Sequence, residues 1–393
     1  MKSPLSFKKY INPNLKFEQG PIRPPSEAKS LLIRFTRNCP WNKCTFCPIY
    51  KGQMFSRRSV AEIKRDIDCI AEIISNIKVI SLEMGESGRV TRDVLKTIWS
   101  DPASYPYYRT VALWLYYEEG NVFIQDANSL IMSTQDLVEV ISYLGEKVKG
   151  IKRITSYARS STLARKTRDE LVELRDAGLT RIHIGLESGS DNVLKFVKKG
   201  TSASRHIDAG VKVREAGITL SEYVMPGLGG KKWWKEHALE TARVLNEINP
   251  DFIRLRSLRI PPSAPLYQDL VSGKFEPLND DEVVVEIRLF IQSLEGITST
   301  LTSDHIINLL EEVEGKFPED KEKMLSVIDR YLNLPPRERL LFRLGRRGGT
   351  LRSLDDLANP EVRAKLETAL DELGREAPGG VEQVIDELGN QYI

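Results

Sequence analysis

The sequence predicts an α/β protein built around a mostly parallel β-sheet. From Lys29 onward, apolar segments of strand length alternate with segments of helical periodicity, an order typical of parallel β/α architecture. Two helical segments end in Ala177-Gly178 and Ala216-Gly217, each directly before a β-rich stretch, as helix C-caps do. At 393 residues, the chain can bury one large core and carry an appendage.

The elements are expected in a regular order. Strands are predicted near 30–36, 121–125, 151–157, 181–187, 219–225, 252–258 and 297–302, each a short run of apolar residues. The helices between them are predicted near 59–76, 134–148, 168–177, 190–198, 203–216 and 235–247. After the turn that Pro261-Pro262 marks, further helices are expected near 280–294, 304–315 and 319–333.

This pattern divides the chain into an irregular leader (1–28), a main domain (29–300) and a helical C-terminal extension (301–393). Within the main domain, 77–120 is too long for an ordinary connection and is rich in aromatic residues: Trp99, Tyr105, Tyr107, Tyr108, Trp114, Tyr116 and Tyr117. It is interpreted as a helical insertion that packs its own aromatics, or alternatively as a lid over a site. The basic stretch 337–347 is interpreted as a solvated surface, or alternatively as a contact for an acidic substrate or partner.

Composition and charge narrow the class of protein. The net charge is +2, from 57 basic and 55 acidic residues, so no global field indicates nucleic acid or anionic lipid as a partner. The first residues, from Met1 to Leu5, lack the apolar stretch of a signal peptide, and no apolar run is long enough to span a membrane. The sequence therefore predicts a cytoplasmic protein.

Three of the four cysteines, Cys39, Cys44 and Cys47, are crowded into one short segment after the first predicted strand. Three thiolates on one loop can hold three irons of a four-iron cluster and leave the fourth iron open to a substrate. The alternatives are a cluster-binding electron carrier or scaffold, and a zinc-binding module. The C-x4-C-x2-C spacing lacks the second ligand pair usual for zinc, and the four histidines are scattered. Cys69 is interpreted as a free thiol in a helix, or alternatively as a distant cluster ligand.

The cysteine segment, with Phe46 directly before its last cysteine, resembles that of radical S-adenosylmethionine (SAM) enzymes. The usual spacing in that family is C-x3-C-x2-C, so the first gap is one residue longer here. The resemblance covers about residues 29–300 and is closest to the broad group of oxygen-independent coproporphyrinogen dehydrogenases. Its further segments are 121–130, 181–191, 223–230 and 261–267.

The resemblance implies a partial (β/α)6 TIM-like barrel, with the cofactors at the C-terminal ends of its strands. Cys39, Cys44 and Cys47 would hold a [4Fe-4S] cluster. The residues implied for SAM are Asp126 and Asn128 as acceptors for its amino group, Glu187 and Ser188 at its ribose or methionine end, and Phe46, Met225 and Gly227 beside adenine. The segment 84–88 is an alternative to Asp126 and Asn128, because its letters are closer to the family's Gly-Gly-Glu turn.

Three further residues carry less specific expectations. Arg159 is expected either to bind the SAM carboxylate or to form a structural salt bridge. Asp304 and His305 are candidates for catalytic proton transfer, although His305 is alternatively a residue at a capped helix start. By resemblance, the chain is an enzyme that cleaves SAM reductively to a 5′-deoxyadenosyl radical and takes electrons from a donor such as flavodoxin or ferredoxin. The sequence does not identify the substrate.

Overall fold

A computed structural model of the protein describes residues 10–100, 106–376 and 380–390. Strands and helices alternate along most of these residues, and most strands pair in parallel, which confirms the predicted fold class. The chain divides into two compact units, one of residues up to 40, 52–183 and 212–219, the other of residues 41–51, 184–211 and 220 onward. Because these units cut across the predicted boundaries at 28 and 300, the three-part division stays a prediction.

The first unit carries the first strands of the sheet and their helices. Strands β1 and β4 are parallel neighbours, with Leu31 opposite Val122, and β4 is parallel to β5, with Ile124 opposite Ser156. The elements of this unit are β1 (Leu31–Arg34), β2 (Thr36–Arg37), β3 (Ser56–Arg57), α1 (Val60–Glu83), α2 (Arg92–Ser100), α3 (Pro106–Tyr117), β4 (Asn121–Gln125), α4 (Thr134–Lys147), β5 (Arg153–Ala158), α5 (Ser160–Leu163), α6 (Arg168–Asp176) and the first half of β6 (Leu179–Glu187).

Helix α1 begins at a capping box. The Ser59 hydroxyl accepts a hydrogen bond from the Glu62 backbone N–H, and the Glu62 carboxylate accepts one from the Ser59 N–H. Ile63, Ile67 and Ile70 form the buried stripe of the helix, as its periodicity predicts. Cys69 lies half-buried beside that stripe, and burial raises the pKa of its thiol.

A short antiparallel pair joins the two ends of the cysteine loop, which we define as residues 38–55. Strand β2 pairs with β3 so that Thr36 lies opposite Arg57. Next to this pair, the Asn38 side-chain amide donates a hydrogen bond to the Met54 carbonyl oxygen at 2.6 Å. The loop that carries the three cysteines therefore has a closed base.

The aromatic residues of the insertion pack within their own unit. Helix α1 extends to Glu83, and α2 and α3 complete the segment, so the predicted helical character is confirmed. The Trp114 indole N–H donates to the Asn121 carbonyl oxygen at 2.8 Å, and the Tyr107 ring lies 5.1 Å from that of Phe17. Tyr105 lies outside the described residues. The alternative of a lid over a site stays a prediction.

The second unit continues the chain from the second half of β6. Strands β7, β8 and β9 pair in parallel, and β10 joins β9 in the antiparallel direction. In the described ranges, no helix is both long enough and apolar enough to cross a membrane. The elements of this unit are α7 (Asp191–Phe196), α8 (Ala203–Glu215, shared with the first unit), β7 (Thr219–Val224), α9 (Gly230–Ile248), β8 (Phe252–Leu255), α10 (Leu266–Val271), α11 (Asp280–Gln292), β9 (Thr300–Thr302), β10 (Gly315–Lys316), α12 (Lys321–Leu332), α13 (Pro336–Arg347), α14 (Pro360–Glu376) and α15 (Gly380–Asn390).

The helix predicted at 304–315 is wrong. The segment after β9 is irregular and ends in β10. Its Asn308 side chain accepts a hydrogen bond from the Ser257 N–H at 2.9 Å and donates one to the Leu255 carbonyl oxygen at 2.8 Å. These bonds attach the segment to the end of β8.

The basic stretch 337–347 is also unlike its predicted solvated surface. It forms α13, in which Arg343, Arg346 and Arg347 are buried, with only 2% of Arg347 exposed. The Arg347 guanidinium contacts the Asp280 carboxylate at 2.6 Å and donates to the Ile307 carbonyl oxygen at 2.6 Å. Burial is tolerated because these contacts compensate the charge.

Candidate functional site

The cysteine loop carries its three thiols in a partly buried position. Cys44 is 8% exposed, and Cys39 and Cys47 are half-buried. All four cysteines of the chain are thiols and none is in a disulfide. Within the second unit, Thr45 donates its N–H to the Val197 carbonyl oxygen at 3.0 Å and accepts a hydrogen bond from the Leu266 N–H at 2.8 Å.

The donor set of this loop fits an iron–sulfur cluster. Three cysteine thiols on one loop are the ligand type that such clusters require once the thiols are deprotonated. Among the residues that the structure describes, no three Cys, His, Asp or Glu side chains already form a gathered metal site.

In the first unit, Asp126 holds the beginning of the cysteine loop. Its carboxylate contacts the Arg34 guanidinium at 2.6 Å and accepts a hydrogen bond from the Asn38 N–H at 2.9 Å. Asp126 is completely buried and follows β4 directly. Asp126 thus fixes the residue that precedes Cys39. The alternative segment 84–88 follows helix α1 rather than a strand.

Asn128 holds the turn after β5, also in the first unit. Its side-chain oxygen accepts a hydrogen bond from the Arg159 backbone N–H at 3.0 Å, and its amide nitrogen donates to the Thr162 hydroxyl at 2.8 Å. Arg159 is half-buried at the end of β5. The structure therefore brings Asn128 and Arg159 together, with Asn128 orienting the backbone of Arg159.

In the second unit, Glu187 ends β6 in a left-handed backbone conformation, with a φ of 61°. Its carboxylate contacts the Lys199 ammonium group at 2.9 Å, and its carbonyl oxygen accepts a hydrogen bond from the Met225 N–H at 3.0 Å. A Cβ atom at Gly185 would lie 2.2 Å from the Glu187 carboxylate, so glycine leaves the space that this ion pair occupies.

Phe46 and Met225 belong to one apolar cluster. Both pack against a buried group of Val193, Val197 and Leu228. The Lys199 ammonium nitrogen lies 5.6 Å from the centre of the Phe46 ring. The structure thus brings Phe46, Met225 and the Glu187–Lys199 pair together within the second unit.

Two buried side chains hold the turn from Met225 to Gly227. His237 contacts the Met225 carbonyl oxygen through Nε2 at 3.1 Å and the Ser188 hydroxyl through Nδ1 at 2.8 Å. Glu286 accepts a hydrogen bond from the Gly227 N–H at 2.6 Å. Burial lowers the pKa of His237 to about 4 and raises the pKa of Glu286 to about 8, so both groups are neutral at pH 7.

The predicted pair Asp304 and His305 lies after β9 in the second unit. Asp304 contacts the Arg254 guanidinium at 3.3 Å. The His305 Nδ1 atom accepts a hydrogen bond from the Ile307 N–H at 3.3 Å. Burial and the charge of Arg256 lower the pKa of His305 to about 4. The capping role predicted for His305 is wrong, because no helix begins there.

Comparison with known proteins assigns the family. The sequence profile of the radical SAM superfamily matches residues 116–242, a range that contains β4 through most of α9. Residues 116–242 therefore form a radical SAM domain. The predicted family is confirmed, and its members are enzymes that use a [4Fe-4S] cluster and SAM.

Curated relatives match this chain over only part of their own length. The tRNA uridine(34) acetyltransferase of Methanocaldococcus infernus is 26% identical over 121 residues, which cover 29% of this chain and 22% of that protein. The uncharacterized protein YtqA of Bacillus subtilis is 22% identical over 205 residues, which cover 51% of this chain and 62% of YtqA. The chain therefore spans less than two thirds of each.

A solved radical SAM structure aligns along the whole chain. This structure is coproporphyrinogen III oxidase (HemN) of Escherichia coli. The alignment covers all of this chain and 94% of HemN, with 12% sequence identity and a TM-score of 0.38. A likeness of this size does not separate one branch of the superfamily from another. Kinship with the coproporphyrinogen dehydrogenases thus stays a prediction.

Sequence reasoning missed several residues that the structure places in or beside the candidate site. Lys199 was visible only as the residue before a helix-ending glycine, and its pairing with Glu187 depends on the turn after α7. Glu286 lies in an ordinary amphipathic helix and gives no sequence signal. Two further arginines, Arg254 and Arg256, lie inside the predicted strand 252–258, whose apolar pattern does not single them out.

Proposed function

We propose that this protein is a radical SAM enzyme that cleaves SAM reductively and abstracts a hydrogen atom from a substrate. The observation that carries the proposal is the packing of the cysteine loop in the second unit. Thr45 is hydrogen-bonded to Val197, and Phe46 shares an apolar cluster with Met225. The residue next to Cys47 therefore contacts the groups expected to hold a nucleoside.

Cys39, Cys44 and Cys47 would hold the cluster. When bound, the cluster supplies the electron that splits SAM into methionine and a 5′-deoxyadenosyl radical, which removes hydrogen from the substrate. An electron donor such as flavodoxin or ferredoxin would reduce the cluster. Asp126 keeps Asn38 in place and so orients the first cysteine of the loop.

The second unit would bind the adenosyl part of SAM. Phe46 and Met225 offer an apolar surface for adenine, and Gly227 turns the chain with a φ of 88°, a conformation that glycine adopts easily because it has no side chain of its own. Glu187 can accept hydrogen bonds from ribose hydroxyls while Lys199 balances its charge. Ser188 is occupied by His237 and Ser190, so its role is to hold the turn.

Residues of the first unit and of the segment after β9 have separate roles. Arg159, positioned by Asn128, would bind the SAM carboxylate with its planar guanidinium. At neutral pH the His305 ring is neutral. Since Nδ1 accepts a bond from Ile307, the ring proton is on Nε2 and is available to a substrate. Asp304 keeps Arg254 in place.

The test compares cysteine variants under anaerobic conditions. The reconstituted wild-type protein should hold about four irons per chain and form 5′-deoxyadenosine from SAM and dithionite. Cys44→Ala should lower this product to the background level. Cys69→Ala, the same change outside the loop, should leave it unchanged. Glu187→Gln should keep its iron but bind SAM about tenfold more weakly, a loss of about 1.4 kcal/mol.

Other outcomes identify the alternatives. Retained SAM cleavage in Cys44→Ala would contradict the cluster assignment. A brown wild-type protein that never cleaves SAM would be an electron carrier or scaffold. A colourless protein with one zinc per chain would be a zinc-binding module.

A further inference from the structure

Two arginines lie at the C-terminal end of β8, beside the turn expected to bind adenine. The Arg256 backbone N–H donates to the Val224 carbonyl oxygen at 2.9 Å, and the next bond joins the Leu258 N–H to the Pro226 carbonyl oxygen at 2.8 Å. The chain after β8 therefore runs alongside the segment that contains Met225. Active sites of parallel β/α proteins lie at such strand ends.

The charge of the first arginine is already balanced. Arg254 is 7% exposed, and its guanidinium donates to the Ser221 hydroxyl at 3.1 Å and to the Asp304 carboxylate at 3.3 Å. A further bond reaches the Thr302 hydroxyl at 3.3 Å. Arg254 and Asp304 thus form a neutral pair that is anchored to two strands.

The charge of the second arginine is not balanced. Arg256 is half-buried, and within the described residues no acidic side chain forms a salt bridge with it. His305 lies in the segment beside it, because Asn308 accepts a hydrogen bond from the Ser257 N–H at 2.9 Å and donates one to the Leu255 carbonyl oxygen at 2.8 Å. Burial and the charge of Arg256 lower the pKa of His305 to about 4, and its Nδ1 accepts from the Ile307 N–H, so the neutral ring carries its proton on Nε2. With Arg254 cancelled by Asp304, the group of four side chains has one net positive charge.

We infer that Arg256 and His305 form a binding site for a singly charged oxyanion of the substrate, a carboxylate or a phosphodiester. A guanidinium fork matches two oxygens of either group, and the neutral imidazole N–H supplies a further donor without adding charge. One net positive charge suits one negative charge. As a substrate site, it rests on the proposed function, whereas the binding of an anion does not.

The test measures how fast phenylglyoxal modifies each arginine of the full-length protein, read by peptide mass spectrometry. Benzoate and dimethyl phosphate serve as the anionic probes, and benzamide and trimethyl phosphate as neutral probes of similar shape. An anion at four times its Kd should slow the modification of Arg256 about fivefold. Arg243, exposed on α9 and paired with Glu240, should react at an unchanged rate.

The two anions distinguish the source of the charged group. Protection at a lower concentration of benzoate indicates a substrate acid, and protection at a lower concentration of dimethyl phosphate indicates a nucleic-acid backbone. Either result supports the site. If the anions protect Arg256 no better than the neutral probes, or if Arg256 does not react in the probe-free protein, the inference is overturned.

A charge variant predicts the direction in which the anion affinity changes. Asp304→Asn removes the carboxylate that cancels Arg254, so the anion should bind about threefold more tightly. Asp93→Asn, an exposed change on α2, should have no effect. Equal or weaker binding in Asp304→Asn would overturn the charge balance. Formation of 5′-deoxyadenosine does not enter these measurements, so failure of SAM cleavage and failure of the anion site are separate results.

Discussion

Gly185 provides the space in which the Glu187 carboxylate and the Lys199 ammonium group meet. An added Cβ atom would lie 2.2 Å from the carboxylate oxygen and 2.9 Å from the ammonium nitrogen. Both atoms are the far ends of flexible side chains, which can move aside at little cost to the fold. The glycine therefore determines where these groups lie rather than whether the strand forms.

The first prediction follows from that geometry. Gly185→Ala should displace Glu187 and weaken SAM binding about tenfold, or about 1.4 kcal/mol, while the urea midpoint of unfolding changes little. Equilibrium dialysis with SAM measures the affinity. Gly145→Ala in α4, where an added Cβ meets nothing within 4 Å, is the matched control and should bind SAM normally. Equal affinities in both variants would remove Glu187 from the site.

Single residues were predictable from sequence only where a local pattern identifies them. Glu187 was found because it ends a strand in a recognisable segment, and Phe46 because it precedes a cysteine. Lys199 and Glu286 were not found, because their partners lie 12 and 59 residues away along the chain, beyond the reach of a local pattern. Contacts across long separations leave no mark on local periodicity.

Among the elements, helix α13 shows that the place of a helix in the fold, and not its composition, decides whether its charged side chains are buried. Its basic sequence suggested a solvated surface, yet Arg347 lies buried against Asp280, 67 residues away. Arg259 contacts the same carboxylate at 3.0 Å. Burial and the nearby arginines act in opposite directions on Asp280, and the arginines hold its pKa down to about 2.

The second prediction compares two arginines of this helix. Arg347→Met should lower the free energy of unfolding by about 3–5 kcal/mol, because it leaves part of a buried charge uncompensated. Arg337→Met removes an exposed arginine whose contact with Asp371 is mostly solvated, so the cost should be below about 1 kcal/mol. Urea unfolding of both variants measures the difference. Equal losses would show that Asp280 does not depend on Arg347.

The order of elements was predictable because each strand and helix carries its own periodicity and cap. Strands β1 and β4 to β9 and most of the predicted helices lie where the pattern places them, whereas the short β2–β3 pair was not predicted. The exception at 304–315 has a tertiary cause, since Asn308 bonds to Leu255 and Ser257 at the end of β8. Sequence indicates elements well and the contacts between them poorly.

For the whole molecule, the buried Glu286 predicts how stability depends on pH. Its pKa is raised from 4.5 to about 8, so the folded protein keeps a proton that the unfolded chain loses. Stability should therefore fall as the pH rises from about 4.5 to 8. His237 and His305 have lowered pKa values of about 4, so their contribution is complete above pH 6.5 and is lost on acidification.

The third prediction concerns the pH range in which Glu286 is the one group of these three whose ionisation changes the stability. Between pH 6.5 and 8, the wild-type protein should lose up to about 2 kcal/mol of unfolding free energy. Glu286→Gln keeps an acceptor for the Gly227 N–H but cannot ionise, so its stability should be nearly flat over this range. Glu372→Gln, an exposed change on α14, should follow the wild type. Parallel curves for the wild type and Glu286→Gln would contradict the assignment.

The closed base of the cysteine loop has a consequence for how the protein meets a changing supply of iron. The β2–β3 pair and the bond from Asn38 to Met54 bring the ends of the loop together through backbone and amide contacts alone. Much of the entropy of closing the loop is therefore lost before any metal arrives. A chain made while iron is scarce can therefore fold first and bind its cluster later. Its abundance and its activity can then be regulated at different times.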